Sequence, residues 1–149
     1  MLKILILTIA LTIPASGSID LEAVRSAYSP AVKDKKLCGE MISKLKSEEL
    51  SNVCLAYFGG FQTLWANHVF SPISKLKTFN EGKKNLETAV KRDPSNWEIR
   101  LVRLSVQKNA PRFLGYHQNI SEDESYIRRN MKSDTSAVLL KMADQLLKD

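Results

Sequence analysis

The sequence predicts an all-α protein of packed antiparallel helical hairpins. Apolar residues recur at spacings of three and four along almost the whole chain, while period-two alternation is scarce. Capping hydroxyls and prolines punctuate these runs at helical lengths. The tract from Asn85 to Gln107 reads directly as a helix, a Pro94 break and a second helix.

The first segment stands apart. Lys3 is followed by an apolar run from Ile4 to Ile13 and then by Pro14, Ala15, Ser16, Gly17 and Ser18, the layout of a secretory signal peptide. Its core falls short of the roughly 20 residues that a membrane-spanning helix requires, and Pro14 stops any extension. Residues 1–17 are therefore expected to direct export and be removed, with Ser18 as the mature start and Ser16 as the alternative. The other reading, a buried first helix, requires a polar face that this run lacks. Periplasmic or secreted localisation follows, with no transmembrane span after cleavage.

Removal of 1–17 takes away Lys3 and no acid, so the net charge falls from +6 to +5. Export disfavours a nucleic-acid partner, and acids interleave with the basic residues. Even the densest basic run, Lys33 to Lys46, reads first as a solvated helix face. Weak contact with an anionic envelope surface is its second reading. Residues 18–149 are expected to form a single helical domain.

Asp20 is positioned to cap a helix reaching Tyr28, where Ser29-Pro30 marks a kink or a break. The next carries Leu37, Cys38, Met41, Ile42 and Leu45 on one face. Ser47 is expected to cap the longest apolar stripe: Leu50, Val53, Cys54, Tyr57, Phe58, Phe61, Leu64, Trp65, His68 and Val69. Gly59 and Gly60 lie inside it at a cost of about 1 kcal/mol each relative to Ala, which predicts a close helix crossing or a local kink.

Ser71-Pro72 starts a helix with Phe79, Gly82, Leu86, Ala89 and Val90 as its buried edge. Asp93-Pro94 ends it, and Ser95 with Glu98 predicts a capping box for the next. That helix is apolar around most of its circumference, with Arg100, Arg103 and Gln107 as its polar strip. Asn109 to Ile120 reads as an irregular connection. Ser121 with Glu124 predicts a second capping box, and a last helix runs from about Asp134, burying Val138, Leu139, Met142, Ala143 and Leu146. The expected total is about six helices.

On Gly82, Leu86, Ala89 and Pro94, with Leu55, Phe58 and Gly59 as looser matches, the stretch from Leu55 to Gln107 resembles tetratricopeptide-like repeats. Its helices are longer than the unit of about 34 residues accommodates. The chain also resembles a family of small exported helical proteins from Bacteroidetes-type bacteria, through Glu98-Ile99-Arg100, Arg103 and Pro111-Arg112-Phe113-Leu114-Gly115-Tyr116. The first resemblance implies partner recognition, and the second implies no particular activity.

Chemistry-bearing patterns are sparse. His68 and His117 belong to no metal-ligand motif, no Gly-x-Ser-x-Gly elbow occurs, and the Gly59-Gly60 pair follows no strand. No catalytic residue, cofactor or metal is therefore expected, and Glu122, Asp123 and Glu124 read as charges at a helix N-terminus. Cys38 and Cys54 lie level across a hairpin if its turn falls at Lys46-Ser47, which leaves a disulfide and two buried thiols as equal readings. The bridge would contribute about 3 kcal/mol.

Arg100 and Arg103 are read as paired with carboxylates, with Glu81, Glu87 and Asp123 as candidates, as holding an anionic ligand, or as exposed to solvent. In the second case Gln107, Arg112, Phe113 and Tyr116 would complete a partner surface. The functional expectation is an exported interaction or assembly module binding another envelope protein. A small envelope enzyme, or a binder of anionic lipid or polysaccharide, is the alternative.

Overall fold

The computed structural model describes residues 18–46 and 49–148. They are all-helical: α1 (Leu21–Tyr28), α2 (Lys35–Lys46), α3 (Asn52–Trp65), α4 (Pro72–Arg92), α5 (Trp97–Asn109), α6 (Ile120–Asn130) and α7 (Ala137–Leu147). Three 3-10 turns, Pro30–Val32, Ala66–His68 and Arg112–Leu114, join them, and no strand occurs among the described residues. Seven helices rather than about six arise because Ser29-Pro30 cuts off α1 as a separate element. The predicted signal segment, residues 1–17, and the expected cap Ser47 lie outside the described residues.

α3 occupies the centre because apolar and small residues occupy most of its circumference. Cys54, Ala56, Tyr57, Gly59, Gly60, Phe61 and Thr63 are buried. Tyr57 and Phe61 are fully covered and take Tyr28 of α1 edge-on, with ring centroids 5.4 and 5.3 Å away. Burying a large apolar side chain in this way contributes about 1.5–3 kcal/mol. The stripe is wider than the expected one, and Leu64, Trp65, His68 and Val69 are only half-buried. Its helix also starts later, at Asn52, where the Ser51 hydroxyl accepts the Cys54 amide.

The other face of α3 meets α4 at Gly59 and Gly82. A Cβ on Gly59 would lie 2.6 Å from the Gly82 carbonyl oxygen, and one on Gly82 would lie 2.5 Å from the Gly59 carbonyl oxygen. Only hydrogen side chains permit this approach, so the glycines' local cost is offset by backbone proximity. Gly60 instead makes room for Tyr28, whose hydroxyl would lie 2.7 Å from a Cβ there. The buried edge of α4 consists of Phe79, Gly82, Leu86, Ala89 and Val90, as its periodicity predicts.

Both expected capping boxes fail. Asn96, not Ser95, caps α5 by accepting from the Glu98 and Ile99 amides, which frees the Glu98 carboxylate for tertiary contact. α6 begins two residues early, at Ile120 with Asn119 in the cap position, and Glu124 pairs with Lys108 at 2.7 Å. α7 starts at Ala137, capped by Ser136 rather than near Asp134.

Candidate functional site

Residues of α5 form two buried ionic clusters. Arg103 is gripped by Asp123 of α6, Nε to Oδ2 at 2.7 Å and Nη2 to Oδ1 at 2.8 Å, while Nη1 reaches Glu87 of α4 at 3.3 Å. Burial alone would lower the Arg103 pKa, but the hydrogen bonds and charge of Asp123, helped by Glu87, raise it above its ordinary value. Arg100 donates to the Pro94 carbonyl and to Glu122 and Asp123, and its guanidinium lies 4.2 Å from the Tyr126 ring centroid. Glu81 appears in neither cluster.

The second cluster joins α1, α3 and α5. Glu98 accepts from Arg25 Nε at 2.7 Å and Nη2 at 2.6 Å, and from the Tyr57 hydroxyl at 3.0 Å. Burial, followed by the Glu98 charge, holds the Tyr57 phenol well above its ordinary pKa. Among the described residues no buried side-chain nitrogen or oxygen lacks a hydrogen-bond partner. These clusters fasten helices together.

The six residues expected to share a partner surface are divided. Arg103 and Gln107 are buried, and the Gln107 side chain closes on Asn119, accepting its amide and donating to its side-chain carbonyl. Tyr116 is buried edge-on against Phe79 and donates its hydroxyl to Glu87. Burial and then that hydrogen bond raise its pKa. Arg112 and Phe113 alone face solvent, Phe113 at 86 % exposure.

The histidines are anchors in this structure. His68 Nε2 lies 3.0 Å from the Ala31 carbonyl oxygen and His117 Nε2 lies 3.1 Å from that of Ala110. No group of three or more His, Cys, Asp or Glu among the described residues is placed to hold a metal ion. Cys38 and Cys54 are buried and unbonded. Cys38 Sγ instead faces the Phe61 carbonyl at 3.5 Å. Phe61 follows Cys54 by two helical turns, about 10 Å, so the two cysteines are not level and the turn-based register is corrected. Burial pushes the Cys38 thiol up to about 11.

A cleft of about 1070 Å³ lies elsewhere. Its lining combines Tyr28 and Val32, Leu64 and Thr63 of α3, Leu76 and Phe79 of α4, Ser105 and Val106 of α5, Leu114, and Met142 and Leu146 of α7. No Asp or Glu lines it, whereas Lys75 and Lys108 do. Lys108 is already paired with Glu124, but half-buried Lys75 donates to the Ala66 carbonyl at 3.2 Å and pairs with no carboxylate among the described residues. Ser105 donates to the Val102 carbonyl and receives the Tyr28 hydroxyl, which burial pushes up to about 12 and keeps protonated.

Sequence reading missed this cleft although a signal was present. Ile73 and Leu76 continue the Phe79–Gly82–Leu86 edge toward the start of α4, yet Ile73 is 82 % and Leu76 49 % exposed. The apolar edge extends beyond the helices that cover it. Compared with protein-family models, curated proteins and solved structures, the chain matches none of them.

Proposed function

We propose that this chain is a non-catalytic binding protein whose cleft takes a single-chain amphiphile with an anionic head, in the envelope compartment that its N-terminal segment predicts. The observation carrying this reading is the lining: apolar walls, two lysines and no carboxylate around about 1070 Å³. Ligand sites are commonly clefts of roughly 300–1000 Å³ with mostly apolar walls and a few polar groups that fix orientation. An acyl chain would lie against Leu64, Leu76, Phe79, Val106 and Met142. A carboxylate or phosphate would take Lys75, the cation of the lining that has no acidic partner among the described residues.

This replaces the Arg100–Arg103 strip as the recognition element, because Arg103 and Gln107 already have buried partners. On this reading the α3–α4 pair is a repeat-like hairpin framing a ligand site. Titration with a fluorescent fatty acid, competed by unlabelled fatty acid or lysophospholipid, tests it. Saturable binding is expected, weakened by Leu76→Glu, and Lys75→Gln is expected to cost the acid more affinity than the matching fatty alcohol. No saturable binding below the micellar range would refute the proposal. Equal losses for acid and alcohol would remove Lys75 from the head-group role.

A further inference from the structure

We infer that the end of the molecule around the cleft mouth docks on an anionic lipid surface. This goes beyond occupation of the cleft, and the two fail separately. Three connections meet at this end, because Val32, then Ala66, Asn67 and Pro72, then Pro111 and Phe113 all line the same opening. Lys35 Nζ lies 5.7 Å from the Trp65 ring centroid and 5.9 Å from that of Phe70, which brings the start of α2 against the α3–α4 connection.

Large apolar side chains project from two of these connections and from the first turn of α4. Phe70 is 94 %, Ile73 82 % and Phe113 86 % exposed, and Val32 and Leu76 are about half exposed beside them. Such side chains on separate turns, rather than on one flat helix face, suit insertion among lipid headgroups and acyl ends. Aromatic residues favour that interface.

The charges around them select the partner. Residues 29–37 hold Lys33, Lys35 and Lys36 against Asp34 alone. Residues 66–80 hold Lys75 and Lys77 and no acid, and residues 108–118 hold Lys108 and Arg112 and no acid. At the nearby end of α7, Asp144 is matched by Lys148 at 2.6 Å. Apart from Asp34, and outside the Lys36–Glu40, Lys108–Glu124 and Lys148–Asp144 pairs, the surrounding charge is cationic, and basic residues at a surface draw anionic lipid headgroups. An acidic protein would answer the charge but would not explain three separately projecting apolar tips.

Sedimentation with vesicles tests the inference, using the chain produced with its own N-terminal segment and its mass verified after export. One vesicle set is phosphatidylcholine, and the other is phosphatidylcholine with phosphatidylglycerol in equal parts. Wild type is expected to bind the anionic vesicles at least about tenfold more strongly, with the difference shrinking as salt rises. The triple variant Phe70→Ser, Ile73→Ser, Phe113→Ser changes only exposed side chains and is expected to lose about tenfold on anionic vesicles.

Undiminished binding by the triple variant, or equal binding to both vesicle sets, would overturn the inference. Self-association that the triple substitution abolishes, without vesicle binding, would assign the patch to a second copy of this chain and also overturn it. Fatty-acid titration of the same proteins keeps the readings apart: retained ligand binding without vesicle binding defeats docking alone. Vesicle binding without ligand binding defeats the cleft reading alone.

Discussion

Gly59 and Gly82 bring α3 and α4 together backbone to backbone, each standing where a Cβ would strike the other's carbonyl oxygen, at 2.6 and 2.5 Å. The obstacles are main-chain atoms, so no side-chain rotation relieves them. Ala at either site gains about 1 kcal/mol of helix propensity, while forcing the helices apart costs about 1–3 kcal/mol or more. Gly82→Ala is further opposed by Thr63, whose amide nitrogen would lie 2.8 Å away. A net loss of about 2 kcal/mol is expected in denaturant unfolding. Gly39→Ala is the control: its Cβ would meet only the edge of the Trp65 ring at 3.3 Å, and its stability should stay within about 1 kcal/mol of wild type. Equal effects at the two positions would show that the α3–α4 crossing is looser than described.

The paired bonds between Arg103 and Asp123 predict strongly non-additive substitutions. Asp123→Leu leaves the buried Arg103 guanidinium with Glu87 at 3.3 Å, and Arg103→Met leaves the fully covered Asp123 carboxylate with Arg100 at 3.0 Å. Each should cost about 3–5 kcal/mol, whereas Arg103→Met with Asp123→Leu should cost much less than the two losses combined. A double-substitution cycle read by chemical denaturation checks this. Additive losses would mean that the two residues act independently.

Local pattern carried part of this arrangement and tertiary register the rest. The edge Phe79, Gly82, Leu86, Ala89 and Val90 was legible because one-sided burial imposes helical spacing on the sequence itself. Glu98 was misread because a carboxylate three residues after Ser95 fits a local cap, whereas its partners Arg25 and Tyr57 lie 73 and 41 residues away. Glu87 and Asp123 stood among the candidate partners of Arg103, but the approach of α4 and α6 to α5 selects them. The cleft left a weaker trace. Periodicity shows that Ile73 and Leu76 share a face with Phe79 but not that the neighbouring helices stop short of covering them.

Alkaline pH should destabilise the protein in a defined window. Burial raises the phenol of Tyr28 from its ordinary 10 to about 12 and the thiol of Cys38 from 9 to about 11. Their protonated forms are favoured in the folded state, so their contribution is complete below the unfolded values. It is lost as pH rises through the folded ones. Stability should therefore fall from about pH 9 and more steeply between about 10 and 12. Tyr28→Phe should flatten the upper part of this fall, by an amount on the order of 2 kcal/mol. Phenolate absorbance followed beside helicity provides the check, and Tyr28 ionising while helicity is intact would contradict its burial.

The register between α2 and α3 makes a prediction about the thiols that does not depend on the function. Cys38 faces the Phe61 carbonyl rather than Cys54, and both cysteines are buried and unbonded. A helix would have to slide by about two turns to bring them level, dragging Gly39 away from Trp65 and uncovering Leu45. Packing of those side chains opposes the slide even in an oxidising compartment, where a well-placed pair would close. Alkylation without reductant should therefore add no label to the folded protein and two labels after denaturation, read by intact mass. Denatured protein that takes no label until a reductant is added would show the bridge and overturn this register of α2 on α3.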